Sequence, residues 1–233
     1  MPRPKDCADN AGQQDGGRPH RLPLTSLAPS HAAVAAVRME WTMSTSARPA
    51  SERIRLISEV GLSIALATVL GMMKIWQMPQ GGEVSLAMLP ILLLAFRRGT
   101  GPAVIAGVLY GVVDAQLNPY VVHWAQYILD YPLAYGLVGL AGLLSRKIVA
   151  VDEQKRRFVV PITFGVAIAA LGRYAAHTLS GVIFFAEYAE GQPVLLYSAV
   201  YNSSVLISAV ACVVAAVAIV PVLARVVPVW REA

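Results

Sequence analysis

Residues 120–135 read Tyr-Val-Val-His-Trp-Ala-Gln-Tyr-Ile-Leu-Asp-Tyr-Pro-Leu-Ala-Tyr, and they set a carboxylate, Asp130, inside an apolar run that extends over residues 121–144. A run of that length, with others of its kind on both sides, predicts a transmembrane helix. An ionisable side chain at membrane depth is costly and marks a functional site by default. The aromatic residues around Asp130, with His123 nearby, predict a pocket for a flat ligand that is cationic or polar. The structural alternative is an Asp satisfied at a helix terminus, with Pro132 kinking the helix.

Outward from this stretch, apolar segments cover residues 57–76, 84–96, 102–117, 121–144, 158–185 and 194–222. A spanning helix needs about 20 residues, with about 17 at the low end, so the second and third segments are short. Pro90 and the glycines Gly99, Gly101, Gly107 and Gly111 suit kinks and close helix packing there. The chain has 233 residues, 56% hydrophobic and only 14% charged, whereas a soluble domain carries about 25% charged residues. The expected fold is an all-α polytopic membrane protein, a six-helix transmembrane bundle over residues 53–226. The runs are continuous rather than alternating, which sets a β-barrel aside. Residues 1–52, rich in Pro, Gly, Ser, Asp and Arg without an apolar period, read as a disordered cytoplasmic tail, and residues 227–233 as a short cytoplasmic tail. Met43, followed by Ser-Thr-Ser-Ala-Arg-Pro, reads as the natural start; a native peptide from upstream of Met43 would contradict that reading.

The net charge is +5, but the basic residues lie between apolar segments, which points to membrane topology rather than nucleic acid. Arg48, Arg53 and Arg55 precede the first segment, and Arg97 and Arg98 follow the second. Arg146, Lys147, Lys155, Arg156 and Arg157 separate the fourth from the fifth, and Arg225 and Arg231 follow the sixth. The alternate loops hold mainly Glu83, Glu187 and Glu190, with Lys74 at a helix end. The positive-inside rule then puts both termini and the two basic loops in the cytoplasm. Cys7 and Cys212 have neither metal nor redox spacing, so no disulfide, metal or cofactor is expected. There is no Walker A pattern and no soluble stretch long enough for an ATPase.

Other polar groups within the apolar segments fall at helical spacing. Arg173 and His177 are four apart and share a face, and His177, Gly181 and Phe185 continue as a row of imidazole, gap and ring. Interhelical hydrogen bonding with a packing glycine reads from the same residues, and His177 standing alone favours it. Tyr197 and Asn202 open the sixth segment, five apart, and can flank one pocket or serve as an interfacial Tyr and an interhelical Asn. Gly61 with Ala65, and Ala67 with Gly71, form small-xxx-small pairs, suited to docking a partner or to internal packing. The loop Gln77-Met78-Pro79-Gln80-Gly81-Gly82-Glu83 reads as a turn-rich connector or as a lid over an outward-facing pocket.

Taken in order, Met78-Pro79-Gln80-Gly81-Gly82, the run from Pro90 ending in Phe-Arg-Arg-Gly, residues 120–135 and 136–144, and Arg173-Tyr174-Ala175-Ala176-His177 continuing to Gly181-Val-Ile-Phe-Phe185 resemble the thiamine-specific S component of energy-coupling factor transporters. The resemblance covers residues 53–224. It implies a six-helix protein in a prokaryotic plasma membrane that captures thiamine outside the cell. It also implies association with a shared transmembrane subunit and two cytoplasmic ATPases. The family's ligand positions fall on Tyr120, Asp130, Tyr131, His177, Gly181, Phe185, Tyr197 and Asn202, and its docking motif on Gly61 and Ala65. Asp130 stands where the family pattern has Glu, and Phe185 where it has Trp, a shorter acid and a weaker cation-stacking ring. A ring-bearing lid position falls near Gly82, for which Trp76 is the substitute in this chain.

Thiamine joins an aminopyrimidine to a cationic thiazolium, and a carboxylate among aromatic faces and amide groups suits it. The same architecture could take a thiamine precursor or another vitamin, although Asp130 disfavours an anion. An intramembrane enzyme using His177 and Asp130 as acid and base is the rival from another class, but no His-Glu-x-x-His or Gly-x-Ser-x-Gly motif is present. A membrane scaffold, its polar residues only bonding helices together, is the third.

Overall fold

The structure is a computed structural model that describes residues 50–79, 82–149 and 158–226. The tail expected over residues 1–52, the Met43 start, Gln80 and Gly81 of the loop, Lys155 to Arg157, Arg231 and the tail at 227–233 lie wholly or almost wholly outside the described residues. Helix α1 is Ala50–Met72, followed by a small antiparallel hairpin of β1, Trp76–Gln77, and β2, Glu83–Val84. Then come α2, Met88–Arg98, and α3, Thr100–Leu117. The fourth span is composite: α4, Trp124–Ile128, a π-helical turn at Leu129–Leu133, α5, Ala134–Val138, and a 3-10 segment at Gly139–Leu144. After α6, Ser145–Val149, the long α7 covers Val159–Phe184. The last apolar segment divides into α8, Val194–Tyr201, and α9, Ser204–Val226.

Five of the described helical stretches are long and apolar enough to cross a membrane: Ala50–Met72, Thr100–Leu117, Trp124–Leu144, Val159–Phe184 and Val194–Ala224. The protein is a multi-pass helical membrane protein. The second expected segment is short, as the sequence foretold. Helix α2 has 11 residues, a length of about 16 Å at 1.5 Å per residue, against a hydrocarbon core of about 30 Å. It is also the centre of the fold. Met88, Ile91, Leu92, Ala95 and Phe96 are almost completely buried, and α2 packs on α1, α3, α9 and the 3-10 segment. Its basic end is paired with α1: Arg97 Nη2 lies 2.8 Å and Arg98 Nε 2.7 Å from the one carboxylate of Glu59.

Three hydroxyls of α1 are satisfied locally, since Ser58, Ser63 and Thr68 each donate to the carbonyl four residues earlier. Its two small-residue pairs part company. Ala67 and Gly71 are buried, and a Cβ at Gly71 would run into the Tyr110 hydroxyl of α3. Gly61 and Ala65 are exposed on the other side, with nothing within 4 Å of a Cβ built at Gly61.

Glycines also draw the fourth span onto α3. A Cβ at Gly107 would strike the Tyr135 carbonyl and one at Gly111 the Tyr131 carbonyl, while Gly139 and Gly142 approach the backbone of Val104 and Thr100 in return. Two glycines from each partner let the backbones touch, as small-residue membrane interfaces do. Pro132 sits within the π turn rather than at a sharp break; the wider turn takes up the residue that lacks an N–H. Asp130 and Tyr131 lie in this turn and line the same pocket as Gly82 and Glu83 of the hairpin.

Candidate functional site

One pocket opens between the hairpin, the fourth span, α7 and α8, and all eight residues anticipated from the sequence line it: Tyr120, Asp130, Tyr131, His177, Gly181, Phe185, Tyr197 and Asn202. Asp130 is at its heart. Its Oδ1 lies 2.9 Å from His177 Nδ1, and its Oδ2 accepts from Gln126 Nε2 at 2.7 Å and from Ser180 Oγ at 2.8 Å. A carboxylate offers about four acceptor sites, so three protein donors leave one for a ligand.

The tautomer of His177 follows from its other neighbour. Arg173 Nε donates to His177 Nε2 at 3.2 Å. A guanidinium has no acceptor, so Nε2 carries the lone pair and the proton sits on Nδ1, donated to Asp130. Arg173 is itself fixed: Nη2 donates to the Tyr135 hydroxyl at 2.9 Å, and the guanidinium lies 4.1 Å from the centre of the Tyr135 ring. Tyr135, Arg173, His177 and Asp130 thus form one chain, which sets the imidazole tautomer and the direction of the carboxylate. The row of Arg173, His177, Gly181 and Phe185 along α7 all faces this pocket.

Gly181 both lines the pocket and packs. A Cβ there would meet Ser198 and come within 3.4 Å of Asn202 Nδ2. Its absence lets α8 lie against α7, with Ser198 Oγ donating to the Thr178 carbonyl at 2.8 Å. Asn202 caps α8 and spends its amide N–H groups on the carbonyls of Ser198, at 2.9 Å, and His177, at 3.3 Å. Its carbonyl oxygen remains for a ligand. The Tyr131 hydroxyl is similarly committed, accepting from Tyr120 N and donating to the Asn118 carbonyl, both at 3.0 Å. Tyr131 therefore holds the turn that carries Tyr120 and offers the pocket its ring.

Two aromatic pairs border the cavity. Tyr120 stacks on Phe185, with centroids 5.9 Å apart and planes 26° from parallel. Tyr197 stacks on Tyr201, 6.1 Å apart at 30°. A hydrogen bond with Tyr188, and then burial, push the Tyr120 hydroxyl up to about 12, so it stays protonated at neutral pH.

Sequence reasoning missed several lining groups. Glu83, Asp114 and Asn118 face the cavity at the hairpin end. Asp114 is buried in α3, where Asn118 Nδ2 donates to it at 3.0 Å, and Glu83 sits 3.6 Å from Lys74, whose Nζ also reaches Asn118 Oδ1 at 2.9 Å. Asp114 carried the same signal as Asp130, an acid within an apolar segment. Gln126 was visible too, one turn before Asp130. Two expectations are corrected. His123 does not line the pocket but caps α4, its Nδ1 accepting from Ala125 N at 3.1 Å. Trp76 is 66% exposed on β1 and lies outside the pocket lining; α1 ends at Met72, and the chain has already turned into the hairpin.

The lining therefore sets three carboxylates, Glu83, Asp114 and Asp130, against one guanidinium, Arg173. With aromatic faces on either side, it is arranged for a flat organic cation that also presents a hydrogen-bond donor. Among the described residues no cluster of His, Cys, Asp and Glu could hold a metal ion.

Residues 57–228 match the family model described as thiamine transporter protein. The chain is 36% identical over 160 residues to the thiamine transporter ThiT of Bacillus subtilis (strain 168), covering 66% of this chain and 83% of that protein. It is 34% identical over 154 residues to ThiT of Lacticaseibacillus paracasei (strain ATCC 334), covering 63% and 75% respectively. A solved structure of ThiT from Listeria monocytogenes superposes with a TM-score of 0.66 at 26% identity, over 77% of this chain and 98% of that one.

Proposed function

The chain belongs to the thiamine transporter family, and on that premise we propose that it is the substrate-binding membrane subunit of an energy-coupled uptake system, capturing thiamine at the outer face of a prokaryotic plasma membrane. It is a transport protein and not an enzyme. The observation that carries the ligand is the pocket itself: Asp130, held by Gln126, His177 and Ser180, with one acceptor site left over, between stacked aromatic pairs. A ring amine can take that site while the thiazolium lies against the aromatic faces and the surplus of negative charge.

Transport needs an energy source that the apolar, helical described chain does not itself resemble. In this reading a shared transmembrane subunit and two cytoplasmic ATPases supply it, both termini are cytoplasmic, and Gly61 and Ala65 form the docking surface. The open, exposed side of α1 at those two residues supports the last point, since small residues let another helix approach closely.

The test is thermal unfolding of the detergent-purified chain with increasing ligand. Thiamine should raise the melting temperature progressively, because binding to the folded state alone adds about 2.7 kcal/mol at a hundredfold excess over Kd. A carboxylate-bearing vitamin such as biotin should not, since the pocket already holds a surplus of carboxylates. A shift with the anion and none with thiamine would reverse the assignment.

A further inference from the structure

Tyr201 ends α8 and lines the pocket, yet its surroundings tie it to the hairpin as well. The Gly82 N–H donates to the Tyr201 hydroxyl at 3.4 Å. A Cβ placed on Gly82 would come within 3.1 Å of Tyr201 Cε1, 3.3 Å of its hydroxyl oxygen and 3.1 Å of Met78 Sδ. The ring therefore occupies space that a side chain at position 82 would compete for. One face stacks on Tyr197, so the ring is positioned by the hairpin backbone at its hydroxyl end and by a pocket aromatic on that face. Trp76, the nearest large ring on the hairpin itself, is exposed and outside the lining.

We infer that Tyr201 is a ligand-contacting ring of this pocket, giving an aromatic face to a cationic heterocycle, and that Gly82 is required because its missing side chain admits that ring. The inference rests on the thiamine-binding reading. It supplies what a flat cation lacks at the hairpin end, where Glu83 and Asp114 contribute charge but no surface for stacking. An aromatic face against a desolvated cation contributes more than the same face in water, and a ring on a short helix, held at its hydroxyl end and on one face, loses little freedom when a ligand meets its other face. The competing role for Tyr201 is structural only: its hydroxyl would tether the hairpin and its ring would be idle.

Titration of the full, detergent-purified chain with thiamine separates the two roles. Tyr201→Phe keeps the ring and removes the tether; Tyr201→Ala removes both. The inference expects Tyr201→Phe to bind within about threefold of the unaltered chain and Tyr201→Ala to bind about tenfold more weakly. Gly82→Leu, which displaces the ring without touching its chemistry, should weaken binding by a similar factor. The double variant Gly82→Leu/Tyr201→Ala should be no weaker than either single one, because both remove the same contact. Melting curves without ligand should be alike for Tyr201→Phe and Tyr201→Ala, which separates loss of contact from loss of fold. Unaltered affinity in Tyr201→Ala, or Tyr201→Phe falling as far as Tyr201→Ala, would overturn the inference while leaving thiamine binding intact. If the unaltered chain itself failed to bind, the thiamine reading would fall and this inference with it.

Discussion

Asp130 accepts from three protein donors, so an amide in its place could not simply stand in. One of the two oxygens would become an N–H group facing a donor, and the charge would be gone. Hydrogen bonds to charged groups contribute about 1.5–3 kcal/mol, so Asp130→Asn should weaken thiamine binding by roughly ten- to a hundredfold, measured by equilibrium titration. Arg173 acts one step further back. Arg173→Met would leave His177 Nε2 and the Tyr135 hydroxyl without their donor and free the imidazole to turn away from Asp130. Affinity should fall by about tenfold although Arg173 has the same sign of charge as the ligand. Affinity rising instead would mean that the guanidinium acts only by repulsion. Asp130 and His177 were legible in the sequence because polar residues within apolar runs stand out and helical spacing aligns them. The place of Glu83 was not, since it depends on a hairpin folding back over helices more than a hundred residues away. Asp114 could have been found by the rule that found Asp130.

At the scale of elements, the π turn at Leu129–Leu133 carries Asp130 and Tyr131 to the pocket, and it is seated on Gly111. A methyl group there meets backbone atoms of Tyr131 and Pro132, which cannot swing aside as a side chain would. Gly111→Ala should therefore lower both the melting temperature and thiamine affinity, by about 1–3 kcal/mol in stability for an overpacked contact. Gly61→Ala, with open space around it, should change neither. Equal behaviour of the two variants would refute the seating of the turn on α3. Hydrophobic runs and breaker residues foretold the long helices well. They could not show that the short α2 would be the buried centre of the bundle, because a short span and a core helix are both apolar on every side. Nor could they show that Pro132 would be absorbed by a wider turn, which depends on the glycine-lined backbone of α3 opposite.

On the proposed reading, the whole molecule separates its tasks by position. The pocket lies under the hairpin between the fourth span, α7 and α8, whereas Gly61 and Ala65 lie on the exposed side of α1. Binding and coupling should therefore come apart. Gly61→Trp or Ala65→Trp should abolish thiamine uptake by cells carrying the complete transport system while leaving thiamine affinity of the purified chain unchanged. Uptake that survives both changes would show that the partner docks elsewhere. In the sequence, the small-xxx-small spacing marked two faces of α1 alike. Only the packed fold distinguished them, because Ala67 and Gly71 are used up against α3 and α2. The central claim, that this pocket holds thiamine through Asp130, is tested most directly by titration calorimetry of the detergent-purified chain with thiamine, beside Asp130→Ala. The account predicts tight one-to-one binding by the unaltered chain that collapses in the variant. No heat from the folded unaltered chain, or equal binding by both, would contradict it.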